Sequence, residues 1–160
     1  MTTGQWVLLV AVAAALGLGA YRAWVDGRFR GTHRVRGAEA ASAVVSTESA
    51  EPVSVLAGTA YADALGKRAT LLQFSSAFCA PCRVTRHTLA DVAARVPGVA
   101  HVEVDAEHHL ELVRALGVLR TPTTLVLDAH GQEATRAAGA PRREQVLAAL
   151  GPLVEDGRLA

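Results

Sequence analysis

The chain lacks isoleucine and asparagine, and its 160 residues include one lysine, two cysteines and only 4% aromatic residues. Two cysteines are too few for a small domain built on a disulfide framework. A composition of 51% hydrophobic and 19% charged residues excludes an intrinsically disordered chain. No run of basic residues is large enough to bind nucleic acid, so no such partner is predicted. The missing residue types have AT-rich codons, which favours a bacterial source with a GC-rich genome.

The formal net charge of +1 conceals two regions of opposite sign. Residues 1–36 contain five arginines and one aspartate, a net charge of +4. Residues 37–160 contain 11 basic and 14 acidic residues, a net charge of −3. The basic excess therefore belongs to the N-terminal part of the chain.

After a short N-terminal end (residues 1–5), residues 6–25 predict a single transmembrane helix. The run from Trp6 to Tyr21 carries no charge. From Trp6 to Trp24 an α-helix would extend roughly 27 Å, close to the hydrocarbon thickness of a bilayer. Both tryptophans of the chain flank this run, as in the aromatic belts of membrane-spanning helices. The lipid bilayer is therefore a predicted partner of residues 6–25.

Two other interpretations of this segment are less well supported. A cleaved signal peptide would begin with basic residues and end at a small-residue cleavage site, and neither is present. A buried core helix would need a surrounding fold, but the next thirty residues are polar or small.

The orientation of the membrane helix follows from its flanking charges: arginines follow the segment and none precedes it. This bias predicts a single-pass protein of a bacterial cell membrane with its domain in the cytoplasm. An extracytoplasmic domain is the alternative.

Residues 26–54 are small, polar and basic, which predicts a flexible linker. Residues 55–160 predict one α/β domain, with helices on both faces of a sheet that contains parallel strands and an antiparallel edge. A short helix capped by Thr59 is predicted at 60–65. Strands are predicted at 70–74, 101–105, 123–127 and 132–138. Further helices are predicted to start at Pro81 and to span 107–116 and 141–150, and the last of them is closed by Gly151-Pro152.

Cys79-Ala-Pro-Cys82 lies between a predicted buried strand and the start of a predicted helix. Unpaired backbone N–H groups and the helix dipole stabilise a thiolate at such a position. Cys79 would lie at the exposed cap and attack as the nucleophile, while Cys82, one turn further, would be the resolving thiol. A C-x-x-C in this setting predicts thiol redox chemistry.

Other functions of the cysteine pair are less well supported. A zinc site needs four ligands, and the candidate histidines form no cluster with ligand spacing, so no metal is predicted; these histidines are His87, His101, His108 and His109. A purely structural disulfide would close only a four-residue loop and constrain the unfolded chain little. No nucleotide or flavin fingerprint is present, so no cofactor is predicted.

The segment Phe74-Ser-Ser-Ala-Phe-Cys-Ala-Pro-Cys82 resembles the active-site motif of the thioredoxin family. Gly117-Val-Leu-Arg-Thr-Pro-Thr-Thr-Leu-Val126, and Gly139 before the last helix, extend the resemblance over about residues 55–151. It implies a thioredoxin fold, a central mixed sheet flanked by helices, here preceded by the transmembrane helix. The Pro-Thr-Thr-Leu run is more similar to the membrane-tethered, extracytoplasmic branch that serves cytochrome maturation, which supports the alternative orientation.

The resemblance also implies roles for individual residues. It assigns Cys79 as the nucleophile and Cys82 as the resolving thiol. Pro122 is expected to be a cis-proline facing the cysteines, and Thr121-Pro122 to form the backbone edge that holds a substrate chain. The remaining predicted substrate-binding residues adjoin the cysteines: Phe78, Ala80 and Pro81.

The sequence departs from the family pattern at three places, one of which is Ser75-Ser76, where an aromatic residue of the family is missing. Where the family often has a buried aspartate that moves protons for the second cysteine, this chain has Gln73, which cannot titrate. Phe78 replaces the usual tryptophan before the first cysteine. Glu103 or His101, on the neighbouring predicted strand, is a candidate substitute for the aspartate, although for His101 a structural, partly buried polar residue is the favoured interpretation.

These observations predict a membrane-anchored thiol–disulfide oxidoreductase. Its substrates would be protein disulfides or dithiols, and another dithiol protein would supply electrons. The Ala-Pro dipeptide between the cysteines favours a reductant. The alternatives are a binding or assembly module of the same fold with accessory cysteines, tethered to the membrane, and metal handling by the two cysteines.

Overall fold

The computed structural model describes residues 3–25, 27–31 and 53–156. The predicted linker residues 32–52 and the end of the chain, residues 157–160, lie outside the described residues. The helices are α1 (Thr3–Val25), α2 (Ala80–Arg95), α3 (Leu110–Ala115) and α4 (Arg143–Asp156); the strands are β1 (Phe29–Gly31), β2 (Ala69–Ser75), β3 (Val99–Asp105), β4 (Thr123–Asp128) and β5 (Glu133–Ala138). From β2 to α4 this order is the one predicted from the sequence.

The strands form one mixed sheet in the order β1-β5-β4-β2-β3. β2 pairs in parallel with β3, and the remaining pairs are antiparallel. All seven residues of β2 are buried, because helices and loops cover both faces of this central strand. The structure therefore confirms the predicted α/β fold with an antiparallel edge.

Two hydrophobic clusters fill the two sides of the sheet. On one side α2 and α4 pack on the sheet through the buried side chains of Ala69, Leu71, Leu89, Val92, Val126, Val146 and Leu150. On the other side the segment before β2 and the region around α3 cover Leu72, Phe74, Val102, Val104, Leu125 and Leu127. The alternation of β2 side chains between these clusters follows from the two-residue period of a strand.

Strand β1 differs from the prediction, since its residues fall in the predicted linker. It pairs antiparallel with β5, with Phe29 opposite Ala137. Gly27 begins this contact: its N–H donates to the carbonyl oxygen of Ala138 at 2.9 Å. Its φ of +78° and its closeness to Ala140, whose carbonyl oxygen would lie 2.2 Å from a Cβ at position 27, both require glycine. The linker prediction is therefore wrong for residues 27–31.

Two predicted helix boundaries are also wrong. Gly151-Pro152 does not end the last helix, which continues through Pro152 to Asp156. Leu153 and Val154 pack against the core in this extension, and their burial offsets the missing N–H of the proline. The helix predicted at 60–65 is a single 3-10 turn, Ala62–Ala64, without a side-chain cap. The Thr59 hydroxyl instead accepts a hydrogen bond from the Tyr61 N–H at 3.2 Å.

Helix α1 is exposed from Gly4 to Arg22, and no residue of its most apolar window is buried within the protein. Between Gly4 and Arg22 it is long and apolar enough to cross a membrane. A signal sequence would satisfy the same criteria of length and composition. Large apolar side chains of α1, such as Leu8 and Leu16, are 66% and 69% exposed. The rest of the fold does not cover them, so they need an apolar environment outside it.

Thr123 and Thr124 are neighbouring buried residues of β4 whose hydroxyl groups differ in hydrogen bonding. The Thr123 hydroxyl donates to the Arg120 carbonyl oxygen at 2.7 Å, whereas Thr124 Oγ1 has no hydrogen-bond partner among the described residues. An unsatisfied buried hydroxyl is destabilising, so we expect Thr124→Val to raise the free energy of unfolding by about 1 kcal/mol. Thr123→Val removes a hydrogen bond and should lower the free energy of unfolding by about as much. Denaturant unfolding measures both; shifts of the same sign would contradict this assignment.

Candidate active site

The two cysteines form a disulfide bond at the start of α2, with their Cα atoms 5.2 Å apart. Cys79 is the N-cap residue, and its sulfur accepts the backbone N–H of Cys82 at 3.1 Å. Pro81 occupies the first turn, where its missing N–H has no helical partner to lose. Cys82 is 1% exposed whereas Cys79 is only partly buried, so an incoming group reaches the Cys79 sulfur first.

Gln73, fully buried on β2, supports the cysteine turn through hydrogen bonds of its side chain. Its side-chain nitrogen donates to the Cys82 carbonyl oxygen at 3.0 Å and to the Ser75 hydroxyl at 2.8 Å. Its side-chain oxygen lies 3.1 Å from Nε2 of His101 and accepts a hydrogen bond from it. With both ends of the amide occupied, Gln73 positions Cys82 but exchanges no proton with it.

His101 contacts the Gln73 amide and not a cysteine. Burial lowers the pKa of His101, an effect that the Arg86 charge reinforces and the Glu103 charge opposes. A neutral imidazole that donates Nε2–H to Gln73 is therefore the form that the site favours at neutral pH. Its position makes it a positioning residue for Gln73.

Glu103 lines the groove that contains both cysteines. It forms an ion pair with Arg86 of α2, with oxygen and nitrogen atoms 2.5 Å apart. Burial would raise the pKa of this carboxyl, but hydrogen bonds from Arg86 and Ser75, together with the nearby positive charge, outweigh burial and keep the pKa below its ordinary value. An ionised carboxylate therefore faces the groove at neutral pH.

The Thr121–Pro122 peptide bond is cis, as the resemblance implies for Pro122. The Thr121 hydroxyl lies 3.0 Å from that of Ser76, in the loop before Cys79. The ladder between β2 and β4 ends at the pair Phe74–Thr123, so the backbone of Thr121 lies beyond the last pair of the sheet. Pro81 and Pro122 line one cavity, which joins the start of α2 to this backbone edge.

Exposed apolar side chains flank the cysteines in the chain and occur in the loop before the cis-proline. Phe78 is 99% exposed directly before Cys79, and Ala80 and Pro81 are exposed after it. Leu119 is 96% exposed in the loop before the cis-proline. Sequence reasoning missed Leu119, although an apolar residue between the predicted helix at 107–116 and the predicted strand at 123–127, outside any helical or strand period, was an available signal.

Charged side chains lie on both sides of the site. Arg120 and Arg142 line the cavity beside Pro122, on the side of β4 and β5. Glu103 and Asp105 line the groove on the side of β3, and Glu107 accepts the Ala77 N–H at 3.3 Å. The carboxylates of the site therefore lie on the β3 side, where Arg83 and Arg86 line the same groove; sequence reasoning did not find this arrangement.

The other histidines considered as ligands lie apart from the cysteines. His109 contacts Tyr61, with Nε2 2.9 Å from the phenol oxygen, and His108 pairs with Asp105. His87 is exposed on α2. Within residues 3–25, 27–31 and 53–156, no three side chains of His, Cys, Asp or Glu are grouped to hold a metal ion.

The sequence model described as Thioredoxin matches residues 52–151. "Thioredoxin H-type 1" of Nicotiana tabacum is 32% identical over 78 residues, which are 49% of this chain and 61% of that protein. "Thioredoxin" of Chlamydia trachomatis is 26% identical over 95 residues, 59% of this chain and 92% of that protein. The matched segments span 61%, 53% and 65% of the first plant relatives.

Solved structures show the same fold. A mutant thioredoxin from Halobacterium salinarum superposes with a TM-score of 0.55 and 21% sequence identity, covering 68% of this chain and 96% of that chain. Thioredoxin from Trypanosoma brucei brucei gives a TM-score of 0.51 with 23% identity, covering 59% of this chain and 81% of that chain. At these identities the likeness establishes the architecture of the domain.

Proposed function

Because the chain belongs to the thioredoxin family, we propose that it is a membrane-anchored thiol–disulfide oxidoreductase that reduces protein disulfides. The observation that supports this best is the Cys79–Cys82 disulfide at the N-terminus of α2, where one sulfur is accessible and the other is buried. In the test, the protein is reduced, freed of reductant and mixed with insulin. Each chain should transfer two electrons to an insulin disulfide and recover its own disulfide.

The proposed reaction is a pair of thiol–disulfide exchanges. The Cys79 thiolate attacks one sulfur of the substrate disulfide; a mixed disulfide forms and the other substrate sulfur leaves as a thiolate, which takes up a proton. The Cys82 thiolate then attacks the Cys79 sulfur and releases the second substrate sulfur. The substrate gains two electrons and two protons, and a separate dithiol protein must reduce Cys79–Cys82 again.

Substrate binding is proposed at the surface around the disulfide. The Thr121 backbone, beyond the end of the sheet ladder, can pair with an extended substrate segment. Phe78, Ala80 and Pro81 supply an exposed apolar contact beside the attacking sulfur. The exposed side chain of Leu119 extends this surface beyond the residues identified from the sequence.

Glu103 is the proposed proton acceptor for Cys82 in the second exchange. It is an ionised carboxylate in the same groove as both sulfurs, and Gln73 cannot accept the proton. The Ser75 hydroxyl joins Glu103 to the Gln73 side chain, so both are part of one hydrogen-bonded network beneath Cys82. His101 is assigned only the positioning of Gln73.

The anchor and the placement of the domain also belong to this proposal. Residues 6–25 span the bilayer, residues 55–160 form the redox domain, and within 26–54 only residues 32–52 remain as the linker. Since positively charged flanks stay in the cytoplasm, the redox domain is assigned to the cytoplasmic side of a bacterial cell membrane.

We expect a reporter fused after Ala160 to show a cytoplasmic C-terminus. Alkaline phosphatase at this position should be inactive, because its disulfides form only in an oxidising compartment, and a fluorescent protein should fluoresce. A matched chain without residues 1–25 provides the cytoplasmic control. An active phosphatase fusion would instead place the domain outside the cell, as the Pro-Thr-Thr-Leu resemblance favours.

A further inference from the structure

The end of helix α1 is fixed to one corner of the redox domain. α1 ends at Val25, two residues before Gly27, and two Cα–Cα steps extend at most about 8 Å. Gly27 is bound in place, because its N–H donates to the Ala138 carbonyl oxygen and its backbone packs against Ala140. A membrane-spanning α1 would therefore hold the Gly27 corner close to the bilayer surface.

This corner lies at the active-site end of the sheet. Ala138 is opposite Thr123, the first residue of β4, and Thr123 is opposite Phe74, which precedes the cysteine loop. One row of the sheet thus leads from Gly27 to Phe74, five residues before Cys79. The row crosses three strand spacings, roughly 15 Å in total. β1 continues away from this end, since Gly31 is opposite Thr135.

Direct contacts join the same corner to the cis-proline edge. The Ala138 carbonyl oxygen that accepts Gly27 also accepts Nη2 of Arg120 at 2.8 Å. The Gly139 N–H donates to the Pro122 carbonyl oxygen at 2.8 Å. The segment that secures the anchor is therefore the segment that supports the proposed substrate-binding edge.

The charges on this end agree with a membrane-facing position. Arg120 and Arg142 are exposed on the side nearest to α1, and Arg28 is exposed at the beginning of β1. The carboxylates of the site, Glu103, Asp105 and Glu107, lie on the opposite side near β3, where Arg83 and Arg86 line the same groove. Basic side chains next to a membrane anchor are attracted to anionic lipid headgroups.

We propose that the active site operates against the membrane surface, and that its substrate is a disulfide in a polypeptide held near the lipid: the chain and strand distances above add to roughly 23 Å between the end of α1 and Phe74, five residues before Cys79. This rests on the proposed anchor and oxidoreductase function. Pairing of β1 with β5, and not the length of the linker, sets the distance between the disulfide and the bilayer.

Two matched insertions test the proposal in the full chain, reduced and placed in nanodiscs of phosphatidylcholine and phosphatidylglycerol. One variant receives twenty Gly/Ser residues between Val25 and Gly27, which adds about 25 Å of flexible reach. The control variant receives the same insertion after Ser42, beyond β1. The probes are one fluorogenic disulfide peptide, used soluble and attached to a lipid headgroup by a short linker.

The measured quantity is the rate of reduction of the lipid-attached probe divided by that of the soluble probe. We expect this ratio to be the same for the native chain and the Ser42 variant, and the insertion before Gly27 to lower it about fivefold. Equal ratios in all three proteins, or the same decrease for both insertions, would overturn the proposal, and so would a full chain that stays in the aqueous phase. Failure to reduce either probe in any protein would instead refute the oxidoreductase function on which it rests.

Discussion

Replacing Cys79 with serine is expected to lower the rate of insulin reduction at least about a thousandfold, because a serine hydroxyl does not ionise at neutral pH and cannot attack a disulfide. Cys82→Ser should stop the reaction one step later. In that variant the Cys79 thiolate still attacks, but nothing resolves the mixed disulfide. The asymmetric burial of the two sulfurs, with Cys82 1% exposed, supports this order of events.

Mass spectrometry without reductant measures the difference directly. Cys82→Ser should accumulate a covalent adduct with an insulin chain, and Cys79→Ser should not. Ala94→Ser is the matched control, since it adds a hydroxyl at an exposed position of α2 without removing a sulfur or changing the proposed binding surface. Undiminished insulin reduction by Cys79→Ser would refute the oxidoreductase function. Binding of disulfide proteins without any trapped adduct would favour a binding or assembly module.

Replacing Glu103 with glutamine is expected to slow resolution of the mixed disulfide about tenfold or more at pH 7, because general acid–base catalysis typically contributes at least this much. In the native protein the pKa of Glu103 lies below its ordinary value, so its carboxylate stays ionised as the pH falls towards mildly acidic values. Resolution in Glu103→Gln should recover as the pH rises and Cys82 ionises without assistance. Stopped-flow measurement of the release step across pH detects this convergence.

Arg86→Gln is the control for the Glu103 experiment. It removes the ion pair between Arg86 and Glu103 but leaves the carboxylate in place. Without the hydrogen bond and the positive charge of Arg86, the pKa of Glu103 should rise, and the carboxylate becomes a stronger base. Resolution at pH 7 should therefore not slow. An equal, pH-independent decrease in both variants would indicate a structural role for the pair and contradict proton transfer.

The cysteine site could be predicted from the sequence because its parts are neighbours in the chain. The strand, the cysteine loop and the helix start lie between Ala69 and Arg95, so local patterns define them. The function of Gln73 could not be predicted in this way. Its amide joins the carbonyl of Cys82 to Ser75 and His101, a set of contacts that exists only when α2 and β3 pack beside β2.

Errors at the boundaries have the same origin. Pro152 is a valid local signal for the end of a helix, but packing of Leu153 and Val154 against the core stabilises the extension of α4. The segment around Phe29 has too short a pattern to predict a strand, and its backbone becomes ordered by pairing with β5. In both cases contacts from distant parts of the chain outweigh local propensity.

Local patterns in the chain are sufficient to predict an apolar N-terminal helix, an α/β domain and a cysteine pair capping a helix, since each depends on local periodicity or on adjacent residues. Tertiary structure alone decided which groups surround the buried sulfur and where the end of α1 lies relative to the disulfide. Gly27 and Ala138 meet through a hydrogen bond across distant parts of the chain. No local pattern encodes that contact, because strand pairing depends on the energy of the whole sheet.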